Sequence, residues 1–94
     1  MRNIEQTAEK LKLMGNPTRL RILEALARGE CSVSTICRRL KLPQAKVSQH
    51  LALLRSRDIV TATRQGVSVC YSLSDGQTLK LLQTLSSGLD GRRN

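Results

Sequence analysis

The chain has 94 residues, a formal net charge of +9, one Tyr and no Trp or Phe. That length supports one domain, residues 1–94, with a thin aliphatic core of the kind that dimerisation completes. An odd count of three cysteines argues against a disulfide-stapled secreted module, and no apolar run is long enough to span a bilayer. The amphipathic, acid-bearing N-terminus is wrong for a secretory signal. A cytoplasmic protein is expected, with reduced thiols, no cofactor and no membrane partner.

Ile4, Ala8 and Leu11 recur at spacings of four and three, which predicts a first helix over residues 3–14. Gly15-Asn16-Pro17 breaks it: Asn16 is a good N-cap, and Pro17 suits the first position of a second helix. That helix runs to about Arg28, buries Leu20, Leu23, Leu26 and Ala27, and is closed by Gly29.

Residues 33–57 then read as two helices joined by a short turn. Val33, Ile36, Cys37 and Leu40 make one apolar stripe at i, i+3, i+4 and i+7, with Ser32 or Ser34 as cap. Pro43 or its neighbour starts the next helix, whose stripe is Val47, Leu51 and Leu54. Opposite that stripe, at 100° per residue, lie Ala45, Gln49, Ala52 and Ser56, with Lys46 and Ser48 on the flanks. A purely solvated helix face would carry Glu and Lys there. Small and hydrogen-bonding side chains instead suit a helix lying in a DNA major groove.

Beyond Asp58 the hydropathy period changes from 3.6 to 2. Residues 59–64 are β-rich, Gln65-Gly66 signals a turn, and residues 67–73 alternate. Val67, Val69, Tyr71 and Leu73 share one face; Ser68, Cys70 and Ser72 share the other, which leaves Cys70 exposed and unaccompanied. Such a hairpin is a wing, about residues 59–73, whose Arg64 and Gln65 can reach a DNA backbone. Ser74-Asp75 caps a last helix, about residues 75–90, with Leu79, Leu82, Leu85 and Leu89 close to a heptad seam. The terminal helices are expected to pair across a two-fold axis, and residues 91–94 read as a frayed tail.

The charge follows this organisation. Residues 31–64 hold seven Lys/Arg against Asp58 alone, whereas residues 1–30 hold six against four Glu. Basic charge gathered on the two-helix unit is what phosphate binding requires. Lys46, Arg55 and Arg64 are the expected phosphate contacts, and His50, at the edge of the buried stripe, is expected to hydrogen-bond within the fold or to a phosphate. No Ser/His/Asp or Cys/His pairing with supporting acids is present, so no enzyme is expected.

GNPTRLRILEAL (15–26), LPQAKVSQHLALLRSRDIV (42–60) and RQGVSVCYSL (64–73) closely resemble the ArsR/SmtB family of bacterial winged-helix repressors. The resemblance implies a mainly α fold with a small β-hairpin wing (α+β), in the order α-α-α-α-β-β-α. It also implies a homodimer through the terminal helices, bound to an inverted repeat in double-stranded operator DNA and released by an inducer. The family's groove-facing positions correspond here to Gln44, Ala45, Ser48 and Gln49.

Where members sensing arsenic and cadmium carry Cys-Val-Cys, this chain has Ser32-Val33-Ser34. The ligand positions that zinc- and nickel-type members use after Asp75 hold Gln77, Ser86 and Leu89, and the only His is His50. Neither site has the three or four N, O or S ligands a metal needs. Thiol chemistry remains, by redox or persulfide modification. Cys37 matches one reactive cysteine of the family's redox-sensing branch, and Cys31 or a cysteine of a second subunit is its expected partner. Arg38 and Arg39 follow Cys37 directly, and a position near a helix N-terminus would lower its pKa. Against this, Cys37 is equally a small core residue on the apolar stripe. Soft-metal or metalloid sensing by the cysteines is an alternative effector; an architectural basic protein without effector and a thiol metal carrier are alternative functions.

Overall fold

The computed structural model of the chain describes the backbone of residues 3–90 and the side chains of residues 3–86. Its elements are α1 (Ile4–Met14), α2 (Pro17–Ala27), α3 (Val33–Leu40), α4 (Gln44–Ser56), β1 (Val60–Gln65), β2 (Ser68–Leu73) and α5 (Gly76–Asp90). This is a winged helix-turn-helix in the expected order. Residues 91–94 and the side chain of Leu89 lie outside the described residues.

Local chemistry sets most boundaries. Asn3 Oδ1 accepts from Gln6 N–H at 3.0 Å and Asn16 Oδ1 from Arg19 N–H at 3.1 Å, so each of the first two helices has a side-chain cap. Ser32, not Ser34, caps α3, its Oγ accepting from Thr35 N–H at 3.2 Å. Helix α3 ends at Lys41, which adopts a left-handed φ of 57°. The tight turn that follows delivers Pro43 to the N-cap of α4, where its fixed φ of −63° suits the helix entry without a side-chain cap. Asp75 caps α5 by accepting from Thr78 N–H at 2.9 Å.

The core lies where α2, α3, α4 and the base of the hairpin meet. Ile22, Leu23, Ile36, Val47, Leu51, Leu54, Ile59 and Val60 are its fully buried side chains. Each such Leu, Ile or Val contributes about 1.5–3 kcal/mol by leaving water. Helix α2 corrects one expectation: it buries Ile22, Leu23, Ala25 and Leu26, whereas Leu20 and Ala27 are exposed. Helical geometry separates the two sets. Leu20 and Ala27 flank the buried face and line a groove against Leu79, Leu82 and Leu85 of α5.

The hairpin pairs β1 with β2 antiparallel, from Val60 opposite Leu73 to Gln65 opposite Ser68. Gly66 and Val67 form its two-residue turn, and Gly66 has a φ of +64°. A positive φ at the first central residue alone is the type II′ pattern, which matches the twist of the strands and favours glycine. Val67 is therefore a tip residue, 99% exposed, and not the first member of the dry face. That face comprises Tyr71 and Leu73, which pack on the core, with Val69 half-buried.

The other face is also different from the expected one. Cys70 is half-buried and accompanied, because the α2–α3 loop runs alongside β2 and Tyr71 N–H donates to the Cys31 carbonyl at 2.8 Å. Ser72 and Thr61 stay outside that cover and face each other across the strands, Oγ to Oγ1, at 3.1 Å.

A candidate nucleic-acid interface on the fourth helix and the wing

Helix α4 divides into two faces. Val47, Leu51 and Leu54 are 1% exposed or less, and they fasten the helix to the core. Gln44, Ala45, Lys46, Ser48, Gln49 and Ala52 are all exposed, so the small and amide side chains share a free surface. Leu53 is exposed as well, which the periodicity of the stripe did not announce.

Ion pairing sorts the cations around this surface. Arg39 is held by Glu30 at 2.7 Å, and Arg57 lies 3.6 Å from Glu9 of α1. The Arg57–Glu9 pair is about half exposed on both sides and contributes little to stability, whereas Glu30 is half-buried and takes two bonds from Arg39. Lys46, Arg55 and Arg64 make no ion pair among the described residues and are exposed. Their charge is available to an external anion. Arg64 and Gln65 stand at the end of β1, beside the Gly66-Val67 turn. Between α4 and β2 runs a cleft of about 390 Å³ lined by Ser48, Ala52, Arg55, Ser56 and Tyr71. Ser48, Ala52 and Arg55 of α4 and Tyr71 of β2 thus border one cleft.

His50 is half-buried, as expected of a boundary residue, and its ring is tied inward. Arg19 Nη1 donates to His50 Nδ1 at 3.3 Å, while Arg19 Nε donates to the Leu13 carbonyl at 2.6 Å. One guanidinium therefore links the end of α1, the start of α2 and the middle of α4. Burial, followed by the charges of Arg19 and Lys46, holds the His50 pKa below its ordinary value. Nothing in the sequence marks this strut, because its ends lie far apart along the chain and no local pattern couples them.

The cysteines fall differently from expectation. Cys37 is half-buried on the α3 stripe and packs against the core. It lies in the second half of an eight-residue helix, and its carbonyl accepts the Lys41 N–H. That position is away from the helix N-terminus where it was expected. Arg39 is turned away to Glu30, to which its Nε donates at 2.9 Å. Cys31 lies ahead of the Ser32 cap, and the cysteine beside it is Cys70. Among the described residues no group of three or more His, Cys, Asp or Glu could hold a metal ion.

The family model for the bacterial regulatory protein, arsR family, matches residues 16–62, which span α2, α3, α4 and the start of the wing. This chain belongs to the arsR family. The transcriptional repressor SmtB homolog of Synechocystis is 35% identical over 85 residues, which is 90% of this chain and 64% of the relative. HlyU of Vibrio cholerae, named a transcriptional activator, has a solved structure that is 35% identical, with a TM-score of 0.83 over 90% of this chain and 92% of that one. A Mycobacterium bovis fragment, described as a homodimeric winged helix-turn-helix DNA-binding domain, aligns with a TM-score of 0.85 at 29% identity. It covers 93% of this chain and 81% of that one. This arsR-family protein is accordingly a DNA-binding winged helix-turn-helix regulator.

Proposed function

We propose that this chain is a dimeric transcriptional repressor that holds an inverted-repeat operator in the cytoplasm and releases it when an effector acts. The observation that carries the reading is the free face of α4, with small and amide side chains flanked by cations that make no ion pair among the described residues. Gln44, Ala45, Ser48 and Gln49 are the proposed base-edge contacts. Lys46, Arg55, Arg64 and Gln65 are the proposed backbone contacts, and His50 supports them from the edge of the helix. Such a protein has no reaction to catalyse.

Dimerisation is supported by the M. bovis fragment and by apolar surface left open on the terminal helices, where Ile4, Leu11 and Leu85 are each at least half exposed. A regulator spanning residues 1–94 as one unit would present two copies of α4 to successive grooves, which is why an inverted repeat is proposed. Repression follows the SmtB homolog; HlyU supports activation as a second reading. Both readings share the DNA-binding step.

Carrying a pool of random duplexes through rounds of binding to the protein, then sequencing the survivors, tests this step. One imperfect inverted repeat is expected; a pool without consensus would overturn the reading. Transcription in vitro from a promoter overlapping that repeat then separates repression from activation by its sign.

A further inference from the structure

We infer that Cys31 and Cys70 form a redox-active dithiol, which two-electron oxidants of the hydroperoxide class close into an intrachain disulfide between the α2–α3 loop and the middle of the wing. The backbone brings them together. Tyr71 N–H donates to the Cys31 carbonyl at 2.8 Å, pinning the α2–α3 loop against β2. With standard peptide dimensions, a bond of that length puts the Cα atoms of residues 31 and 70 roughly 5–6 Å apart. Disulfides span Cα separations of roughly 4.4–6.8 Å. Consistent with that backbone geometry, the neighbouring Cys31 thiol is the largest single influence on Cys70 and, with burial, raises its pKa above the ordinary value. Both residues are half-buried, so a small peroxide can reach them.

The chemistry balances with the peroxide as sole oxidant. One sulfur, as thiolate, attacks the O–O bond and becomes a sulfenic acid, and the displaced oxygen leaves as water or alcohol after taking up a proton. The second sulfur, deprotonated, attacks the sulfenic sulfur, forms the S–S bond and releases water. Two thiols lose two electrons and two protons, and one peroxide is reduced. Metal binding fits the pair less well. Two sulfurs fall short of a ligand set, and the adjacent Glu30 is occupied by Arg39 at 2.7 Å.

The bond would close a ring containing α3, α4 and β1, the whole of the proposed DNA-reading unit. An S–S bond of about 2 Å is shorter than any contact between unbonded thiols, so closure draws β2 toward the loop. Cys70 pairs with Thr63 and its neighbour Val69 with Arg64, so the movement passes to the wing cation. The effect on DNA rests on the reading of the chain as a DNA-binding regulator; the disulfide itself does not.

Both parts are tested by treating the full chain with hydrogen peroxide, blocking free thiols and mapping peptides by mass. Wild type and Cys37→Ala should yield a 31–70 cross-link lacking two hydrogen atoms, whereas Cys31→Ser and Cys70→Ser should not. The unfolding midpoint of the oxidised wild type should rise by about 20 °C, as a ring of this size predicts. Freely alkylated Cys31 and Cys70 after treatment, or a disulfide that includes Cys37, would overturn the assignment. On the selected duplex, oxidised wild type should bind at least tenfold more weakly than reduced protein, and oxidised Cys70→Ser as tightly as reduced Cys70→Ser. A 31–70 disulfide with unchanged affinity would overturn the regulatory part. Reduced protein that binds no duplex would overturn the proposed function instead, leaving the dithiol standing.

Discussion

Gln49 and His50 are consecutive on α4, yet one faces outward and the other inward. Gln49 is exposed and makes no hydrogen bond with its side chain among the described residues, so its amide is free for a base edge. Gln49→Ala should weaken binding to the selected duplex by about 1–3 kcal/mol and leave binding to scrambled DNA nearly unchanged, as titrations on both duplexes would show. Equal losses on both would remove Gln49 from base reading. His50 instead carries a pH signature. Its pKa is held below the ordinary 6.5, so the unfolded chain takes up the proton first. The stability that neutral His50 contributes is complete above about pH 6.5 and is lost as pH falls from there through its lowered folded pKa. Glu30 and Asp75 have lowered pKa values, held down chiefly by hydrogen bonds from Arg39 and Thr78, and titrate below this window. The urea midpoint should therefore fall between about pH 7 and pH 5 in the wild type, while His50→Gln should lose most of that slope. An identical slope in both proteins would show that another group is responsible.

At the scale of elements, the helices and the hairpin were legible because each is punctuated locally. Asn16-Pro17, Ser32, Pro43 and Asp75 mark starts that caps and fixed dihedrals enforce, and the change of period at Asp58 marks the wing. The outward face of α4 was readable for the same reason, since three buried positions fix where all the others point. What escaped was set by packing between distant segments. The α2–α3 loop covers Cys70, Arg19 reaches His50, and α5 stands beside α2 so that Leu20 lines a groove. The misplaced Val67 had a local cause: Gly66 makes it a turn residue, but alternation alone continues through it. The wing offers its own test. Arg64 makes no ion pair among the described residues and sits beside the tip, so Arg64→Ala should lower the slope of log K against log salt by about one without changing the selected sequence. A changed consensus would mean that the wing reads bases.

Across the whole molecule, a basic surface on α4 and the wing is combined with apolar residues left open on α1 and α5. The first suits DNA and the second suits another copy of the chain. Leu85 is half exposed on α5, and Leu85→Glu should shift the protein toward monomer in sedimentation and remove tight binding to an inverted repeat. A variant that stays dimeric would locate the interface elsewhere. Two copies of α4 acting together would give the protein its sequence-specific recognition. It is tested most directly by titrating the wild type against the selected inverted repeat and a scrambled duplex at one salt concentration, with the stoichiometry read alongside. A preference of about 10³-fold or more and two protomers per repeat are expected. Equal affinity for the two duplexes, or saturation by a single protomer, would contradict it.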